Sequence, residues 1–187
     1  MMTIIYAHPN PDSFNHSILK AVTDTMEAEG REYRVIDLYA DGFNPVMSAK
    51  ELELYAKGEA DDALVQKYAV ALQDSDRVMF IFPVWWGMMP AMLKGFFDKV
   101  FLKGRVYDTT DTGDILPCLS VSRTYVVTTS DGPSAEFGNF FEGYLNPVVF
   151  QAVGMNGAQW FNCERTDSTD PVPRQEFVQS LLKVISQ

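Results

Sequence analysis

The chain has 187 residues, 47% hydrophobic and 21% charged, which fits one ordinary globular domain over residues 1–187 and excludes disorder, collagen and coiled coil. Twenty-five acidic against 15 basic residues give a net charge of −10 with no basic patch, which argues against a nucleic-acid partner. Two cysteines and two histidines are too few for a disulfide framework or a zinc site, and no metal is expected. No apolar run reaches the roughly 18–20 residues of a membrane span and the start carries no signal-peptide pattern, so a reducing, cytoplasmic location is the expectation.

Residues 3–7 are a short β-rich apolar run that stops at His8-Pro9-Asn10-Pro11-Asp12. Ile18, Leu19, Val22 and Met26 then share a helical face, Gly30 is a stop, and residues 33–38 form a second strand. This is one β-loop-α-β crossover unit. Residues 39–58 are less regular, with a turn at Asn44-Pro45 and a short helix within 51–57. Leu64, Val65, Tyr68, Ala69 and Leu72 give a helical stripe, and residues 78–82 a continuous apolar strand ended by Pro83. Pro90 opens a helix with the apolar face Leu93, Phe96, Phe97, Val100 and Phe101, while Lys94 and Asp98 form a surface pair.

Residues 103–122 show no periodicity and read as a long loop, in which Arg105 and Tyr107 are surface residues or touch a cofactor tail or a partner. Residues 124–129 are a fourth strand. A helix follows from Tyr144 to Val153, with Pro147 near its start and Gly154 closing it. Residues 158–161 are a fifth strand. Phe177, Val178, Leu181, Leu182 and Ile185 mark a last helix opened by Pro171-Val172-Pro173. Cys118 and Cys163 read as small buried residues, since nothing beside them lowers a thiol pKa.

Strands alternating with helices predict a doubly wound α/β domain: a five-stranded parallel sheet in the order 2-1-3-4-5 with helices on both faces. Ligands in such sheets bind beyond the carboxyl ends of the strands. The loop after the first strand runs through His8 and Ser13-Phe14-Asn15 into a helix N-terminus, a place for a phosphate or pyrophosphate. It is neither a GxxxxGK[ST] loop nor a GxGxxG loop. The loop after the third strand, Pro83-Val84-Trp85-Trp86-Gly87-Met88-Met89, places two tryptophans and two methionines together. They cover a ring system, a partner or the protein's own core, with one tryptophan a candidate for the core. The loop after the fourth strand, Thr128-Thr129-Ser130-Asp131-Gly132, offers hydroxyls and N–H groups to a heterocycle edge.

Tyr6-Ala7-His8-Pro9 with Ser13-Phe14-Asn15, the segment from Phe82 to Phe101, and Val126-Val127-Thr128-Thr129 resemble the NAD(P)H:quinone oxidoreductase family over roughly residues 3–150. The resemblance implies a flavodoxin-like fold and a flavin, FAD with FMN as the alternative, across the strand ends. His8, Ser13, Phe14 and Asn15 would surround its phosphates. Pro83, Val84, Trp86 and Gly87 would line the ring with Trp85 adjacent, and Thr128 and Thr129 would hold its polar edge with Ser130, Asp131 and Gly132 following. It further implies NAD(P)H as co-substrate, a quinone or related acceptor reduced in a ping-pong cycle, and a homodimer whose subunits share each site. Two departures stand out. Ser130 and Asp131 replace a glycine pair found in many members, and an inward-pointing Asp131 would disfavour an anionic reduced flavin. The chain also has no histidine after His16 for a Tyr–His proton relay, leaving Tyr144 as the one catalytic candidate. Phe140 and Phe141 read as a lid or a subunit contact. A flavodoxin-type electron carrier and a flavin-binding regulatory subunit of a membrane transporter are the rival readings.

Overall fold

The computed structural model describes residues 1–187. Five parallel strands form the main sheet: β1 (Met2–Tyr6), β2 (Tyr33–Asp37), β3 (Arg77–Pro83), β6 (Arg123–Thr129) and β7 (Gln159–Cys163), in the spatial order β2-β1-β3-β6-β7. Counting only these five, the order is the expected 2-1-3-4-5. The remaining strands, β4 (Tyr107–Thr109) and β5 (Ile115–Pro117), form a separate antiparallel hairpin. Residues 103–122 are therefore not simply the expected loop. Strands of three residues with mostly exposed side chains carry no readable alternation, and the hairpin is closed by Thr110, Thr112 and Asp114, whose side chains bond one another.

The helices are α1 (Phe14–Ala28), α2 (Ala49–Tyr55), α3 (Ala63–Gln73), α4 (Ala91–Val100), a composite α5 (residues 138–153), and α6 (Val172–Ile185). Alternate strand residues face opposite layers, as the pleat dictates. Ile4, Met79 and Tyr125 pack with Ile18, Val22, Leu181 and Ile185 under α1 and α6. Ile5, Phe80 and Val126 pack with Leu72, Phe96, Phe97 and Phe150 under α3, α4 and α5. The second layer is rich in aromatics: Phe80 stacks on Phe150 at 5.4 Å and meets Phe97 edge-on at 5.4 Å. Such pairs add about 1 kcal/mol each beyond their buried area.

Helix α5 differs from expectation. It starts at Gly138–Phe140, continues as Phe141–Phe150 and closes as Gln151–Val153, so Pro147 lies inside it. The Phe141–Phe150 stretch is wound wider than an α-helix, and the Gln151 N–H reaches back five residues to the Asn146 carbonyl. A proline has no N–H to give and its ring crowds the preceding turn; the wider winding relieves that conflict.

The α2 segment is anchored by a buried ion cluster. Lys99 of α4, its side chain 2% exposed, contacts Glu51 at 2.6 Å and Asp62 at 3.5 Å, and donates to the Asn44 carbonyl at 2.8 Å. Lys99 together with the Ser48 capping bonds pulls the Glu51 carboxyl down to a pKa of about 2. Lys94 and Asp98 form the surface pair foreseen from their spacing.

Candidate functional site

Register brings three loops to one end of the sheet. Tyr6 of β1 lies beside Ile81 of β3, and Pro83 of β3 beside Thr129 of β6. The chain beyond each strand therefore converges on a common crevice.

After β1, the Asn10 N–H donates to His8 Nδ1 at 3.0 Å, and Asn10 Oδ1 accepts from the Asp12 N–H at 2.8 Å. With Nδ1 used as an acceptor, the neutral imidazole carries its proton on Nε2. Burial holds the His8 pKa below its ordinary value, the Asn10 backbone contact acting the other way. Ser13 is the N-cap of α1: its Oγ accepts from the His16 N–H at 3.1 Å. The N–H groups of Phe14 and Asn15, first in the helix, find no acceptor within it, which leaves donors and the positive helix end facing outward.

Asn15 links two of the loops. Its Oδ1 accepts from Thr129 Oγ1 at 2.8 Å, while its Nδ2 is buried with no partner. A buried donor left unmet costs ~1–3 kcal/mol, a cost that an acceptor brought to this amide would recover.

After β3, Trp85 and Met88 exchange backbone hydrogen bonds of 2.9 and 3.1 Å around Trp86 and Gly87, whose φ values are +52° and +75°. Both central residues at positive φ make a tight two-residue hairpin of the I′ kind. Gly87 adopts this freely; for Trp86 the left-handed backbone costs about 1–2 kcal/mol. Neither tryptophan is in the core, contrary to the expectation for one of them. The Trp86 indole is fully exposed, whereas the Trp85 ring, 43% exposed, leans to within 6.1 Å of the His8 ring. Val84 is half-buried and its N–H donates to the Thr129 carbonyl at 2.8 Å, tying this loop to the end of β6; Pro83 is buried.

After β6, the hydroxyls foreseen for a heterocycle are already engaged. Thr128 Oγ1 accepts from Trp160 Nε1 and donates to Asn162 Oδ1, both at 2.8 Å, and Thr129 is held by Asn15. Ser130 Oγ donates to the Gly132 carbonyl at 2.7 Å. Asp131 is exposed and accepts from Thr166 Oγ1 at 3.1 Å, a partner on the far side, beyond β7. Phe137 packs where a side chain on Gly132 would stand, 3.1 Å from that position, and 3.9 Å from the equivalent position on Gly87. The N–H groups of Asp131 and Gly132 make no bond within the chain.

Tyr144 meets the three loops only across a groove beside Met88. It is exposed, stacks on Phe140 at 6.2 Å, and lines an apolar groove of about 1000 Å³ with Met88, Tyr107 and Val148. Phe141 is neither lid nor contact: it is buried and stacked on Trp160 at 4.9 Å. Tyr107 donates to the Tyr55 hydroxyl at 3.2 Å. Cys118 is exposed, not buried as expected, because the short hairpin leaves it uncovered; Cys163 is buried. Burial pushes the Cys163 thiol up, and partial desolvation with the nearby Asp108 charge does the same to Cys118, so neither is activated.

Two contributors went unread in the sequence. Arg174 of α6 stands over the Phe14 ring at 5.8 Å, and the two share a cavity of about 590 Å³ with Asp12, Ser17 and Gln175. Asn162 of β7 is the other; only its register opposite Thr128 could have pointed to it. No three metal-ligating side chains stand close enough to hold an ion, and no helix is long and apolar enough to cross a membrane.

This parallel sheet, with three loops gathered beyond its carboxyl ends, defines a doubly wound α/β protein. The chain belongs to the flavodoxin-like fold family, whose model matches residues 2–187. A mouse (Mus musculus) ribosyldihydronicotinamide dehydrogenase (quinone) is 30% identical over 161 residues, covering 73% of this chain and 70% of that protein. The first curated relatives are matched over 52–70% of their own lengths. Among solved structures, Smu.1420 from Streptococcus mutans UA159 superposes with a TM-score of 0.84 at 28% identity, covering 98% of this chain and 97% of that one. An FMN-dependent NADH-azoreductase from Bacillus anthracis, solved with FMN, shares the fold at a TM-score of 0.76 and 16% identity, covering 99% and 97%.

Proposed function

We propose that this chain, acting as one domain over residues 1–187, is a flavin-dependent NAD(P)H oxidoreductase that reduces quinones or related acceptors by two electrons. The observation that carries the reading is the buried, unpartnered Nδ2 of Asn15, set between the anion-ready start of α1 and the end of β6. A flavin supplies both groups this crevice lacks: phosphate for the helix N-terminus and the Nε2–H of His8, and a carbonyl-edged ring for the free N–H groups of Trp86, Gly87, Asp131 and Gly132. Trp85 closes the crevice on the His8 side. When bound, the flavin supplies the redox chemistry, accepting electrons from NAD(P)H and giving them to the acceptor. The chain's part is to bind, orient and exclude water.

The finer reading is FAD. The cavity beside Phe14, with Arg174 at its wall, lies next to the phosphate loop and has room for a second phosphate and an adenosine. FMN would leave it unused. We further read the apolar groove beside Met88 as the face of a homodimer. Leu52, Tyr144, Val148 and Ile115 are all roughly half exposed there, an unpartnered apolar face that a second copy of the chain would cover. The free thiols suit a reducing, cytoplasmic setting.

The test is the visible spectrum of the purified protein, followed by chromatography of the released cofactor and steady-state kinetics with NAD(P)H and a quinone. Flavin bands, FAD on release and parallel double-reciprocal plots are expected. A chain that neither carries nor takes up flavin overturns the reading. Reduction of a partner protein by single electrons, without NAD(P)H oxidation, would favour the carrier.

A further inference from the structure

We propose that Asn162, on the edge strand β7, is a positioning residue that sets the loop holding the polar edge of the flavin. The inference rests on the flavin reading above and goes beyond it in naming what holds the ring-edge loop in place. Asn162 lies opposite Thr128 in the parallel register, so their side chains share a face. Its Oδ1 accepts from Thr128 Oγ1 at 2.8 Å, and its Nδ2 donates to Ser130 Oγ at 2.8 Å and to Ser134 Oγ at 3.0 Å. Both amide hydrogens and one oxygen lone pair are thereby used. Ser130 Oγ passes the link on by donating to the Gly132 carbonyl at 2.7 Å. One side chain on β7 thus grips the loop at three points and reaches a fourth through Ser130.

The loop needs this grip because of what it has to offer. The Thr128 and Thr129 hydroxyls are taken by protein partners, and the Ser130 and Ser134 N–H groups by the Cys163 carbonyl and Glu164. The donors left are the Asp131 and Gly132 N–H groups, carried by the two peptide units just before the Gly132 carbonyl that Ser130 Oγ fastens. Ser130 and Asp131 stand where a pair of glycines would leave the loop loose. Here side chains replace that freedom with fixed hydrogen bonds: Ser130 to Asn162, and Asp131 to Thr166 at 3.1 Å. Neither residue has a positive φ, so neither position requires glycine. Donors aimed in advance at one edge of a ring raise affinity and tune the charge the reduced ring carries.

The experiment measures flavin Kd, flavin midpoint potential and Tm for the full-length protein, Asn162→Ala, Ser130→Ala and the double variant. Asn162→Ala is expected to weaken FAD binding tenfold or more and to shift the midpoint potential. Ser130→Ala cuts the same chain of bonds, so the double variant is expected to be no more than threefold weaker than the worse single one. An Asn162→Ala protein with lowered Tm but unchanged Kd and potential overturns the proposal, since its role is then structural alone. Full additivity of the two changes does the same. If Asn162→Ala fails to fold, Ser130→Ala by itself must still shift both Kd and potential, or the proposal falls. A wild-type chain that binds no flavin removes the underlying reading and this one with it, whereas flavin binding indifferent to both variants removes this one only.

Discussion

The loops after β3 and β6 stand side by side at the same end of the sheet, yet they are held in opposite ways. The β3 loop carries an exposed tryptophan on a strained backbone, fixed by a pair of hydrogen bonds within its own hairpin. The β6 loop begins with buried Thr128, Thr129 and Ser130 and is gripped from outside by Asn162, Thr166 and Asn15. Strain persists where neighbouring structure over-determines it, and it concentrates at functional sites. The first loop stores energy to display an aromatic surface; the second spends polar side chains to aim backbone donors. A ring lying between them would meet an apolar surface on one side and a fixed hydrogen-bonding edge on the other.

The largest expected effect comes from the residue that joins the β6 loop to the phosphate side. Asn15→Leu keeps the volume but removes both the acceptor for Thr129 and the free amide. Flavin affinity is expected to fall by ~2 kcal/mol, about thirtyfold in Kd, while the apo protein loses little because an unmet buried donor also disappears. Titrating apo protein with FAD by fluorescence checks this; an unchanged Kd would put the cofactor elsewhere. Next come paired changes in the two loops. Trp86→Gly relieves the positive-φ strain and is expected to stabilise the apo protein by about 1 kcal/mol, some 2–4 °C in Tm, while weakening flavin binding. Gly132→Ala should do the reverse to stability, losing about 1 kcal/mol, because its methyl would meet the Phe137 ring and Glu136. If both substitutions shifted Tm the same way, the contrast between a strained and a gripped loop would fail.

Much of the fold was open to sequence reading because the apolar runs of the three central strands β1, β3 and β6 are buried on both sides. The β3 run, Val78 to Phe82, alternates between the two layers, so hydrophobicity alone marked it. The hairpin of β4 and β5 was not readable, since three-residue strands with Ile115 and Leu116 half exposed show no inside-outside pattern. Helix α5 was misplaced at its start because Pro147 implies a helix beginning, a rule that holds for α-winding and lapses where the turn widens. At the site, loop residues next in sequence to strand ends were found. Asn162 and Arg174 were not, because each reaches the site by tertiary approach from a distant element. The direction of Thr128 also lay beyond reach: its hydroxyl is a plausible ligand group until Trp160 and Asn162 are seen to occupy it.

The smallest expected effect lies at His8 and tests the phosphate side. Burial depresses its pKa in the folded apo chain, so protons bind the unfolded chain first. Stability should therefore be fully present above the ordinary histidine value of about 6.5 and be lost as pH falls through the lower folded value. His8→Gln should flatten that part of the profile in thermal melts between about pH 5 and 7. An anion beside Nε2 acts in the opposite sense, since it favours the imidazolium. Following the His8 ring protons by NMR during a pH titration, with and without FAD, is then a direct reading of the site. An upward shift of the His8 pKa on binding places the flavin phosphates at this loop. A pKa that does not move leaves the helix N-terminus without its anion, and the apolar surface of the β3 loop would have to hold the ring unaided.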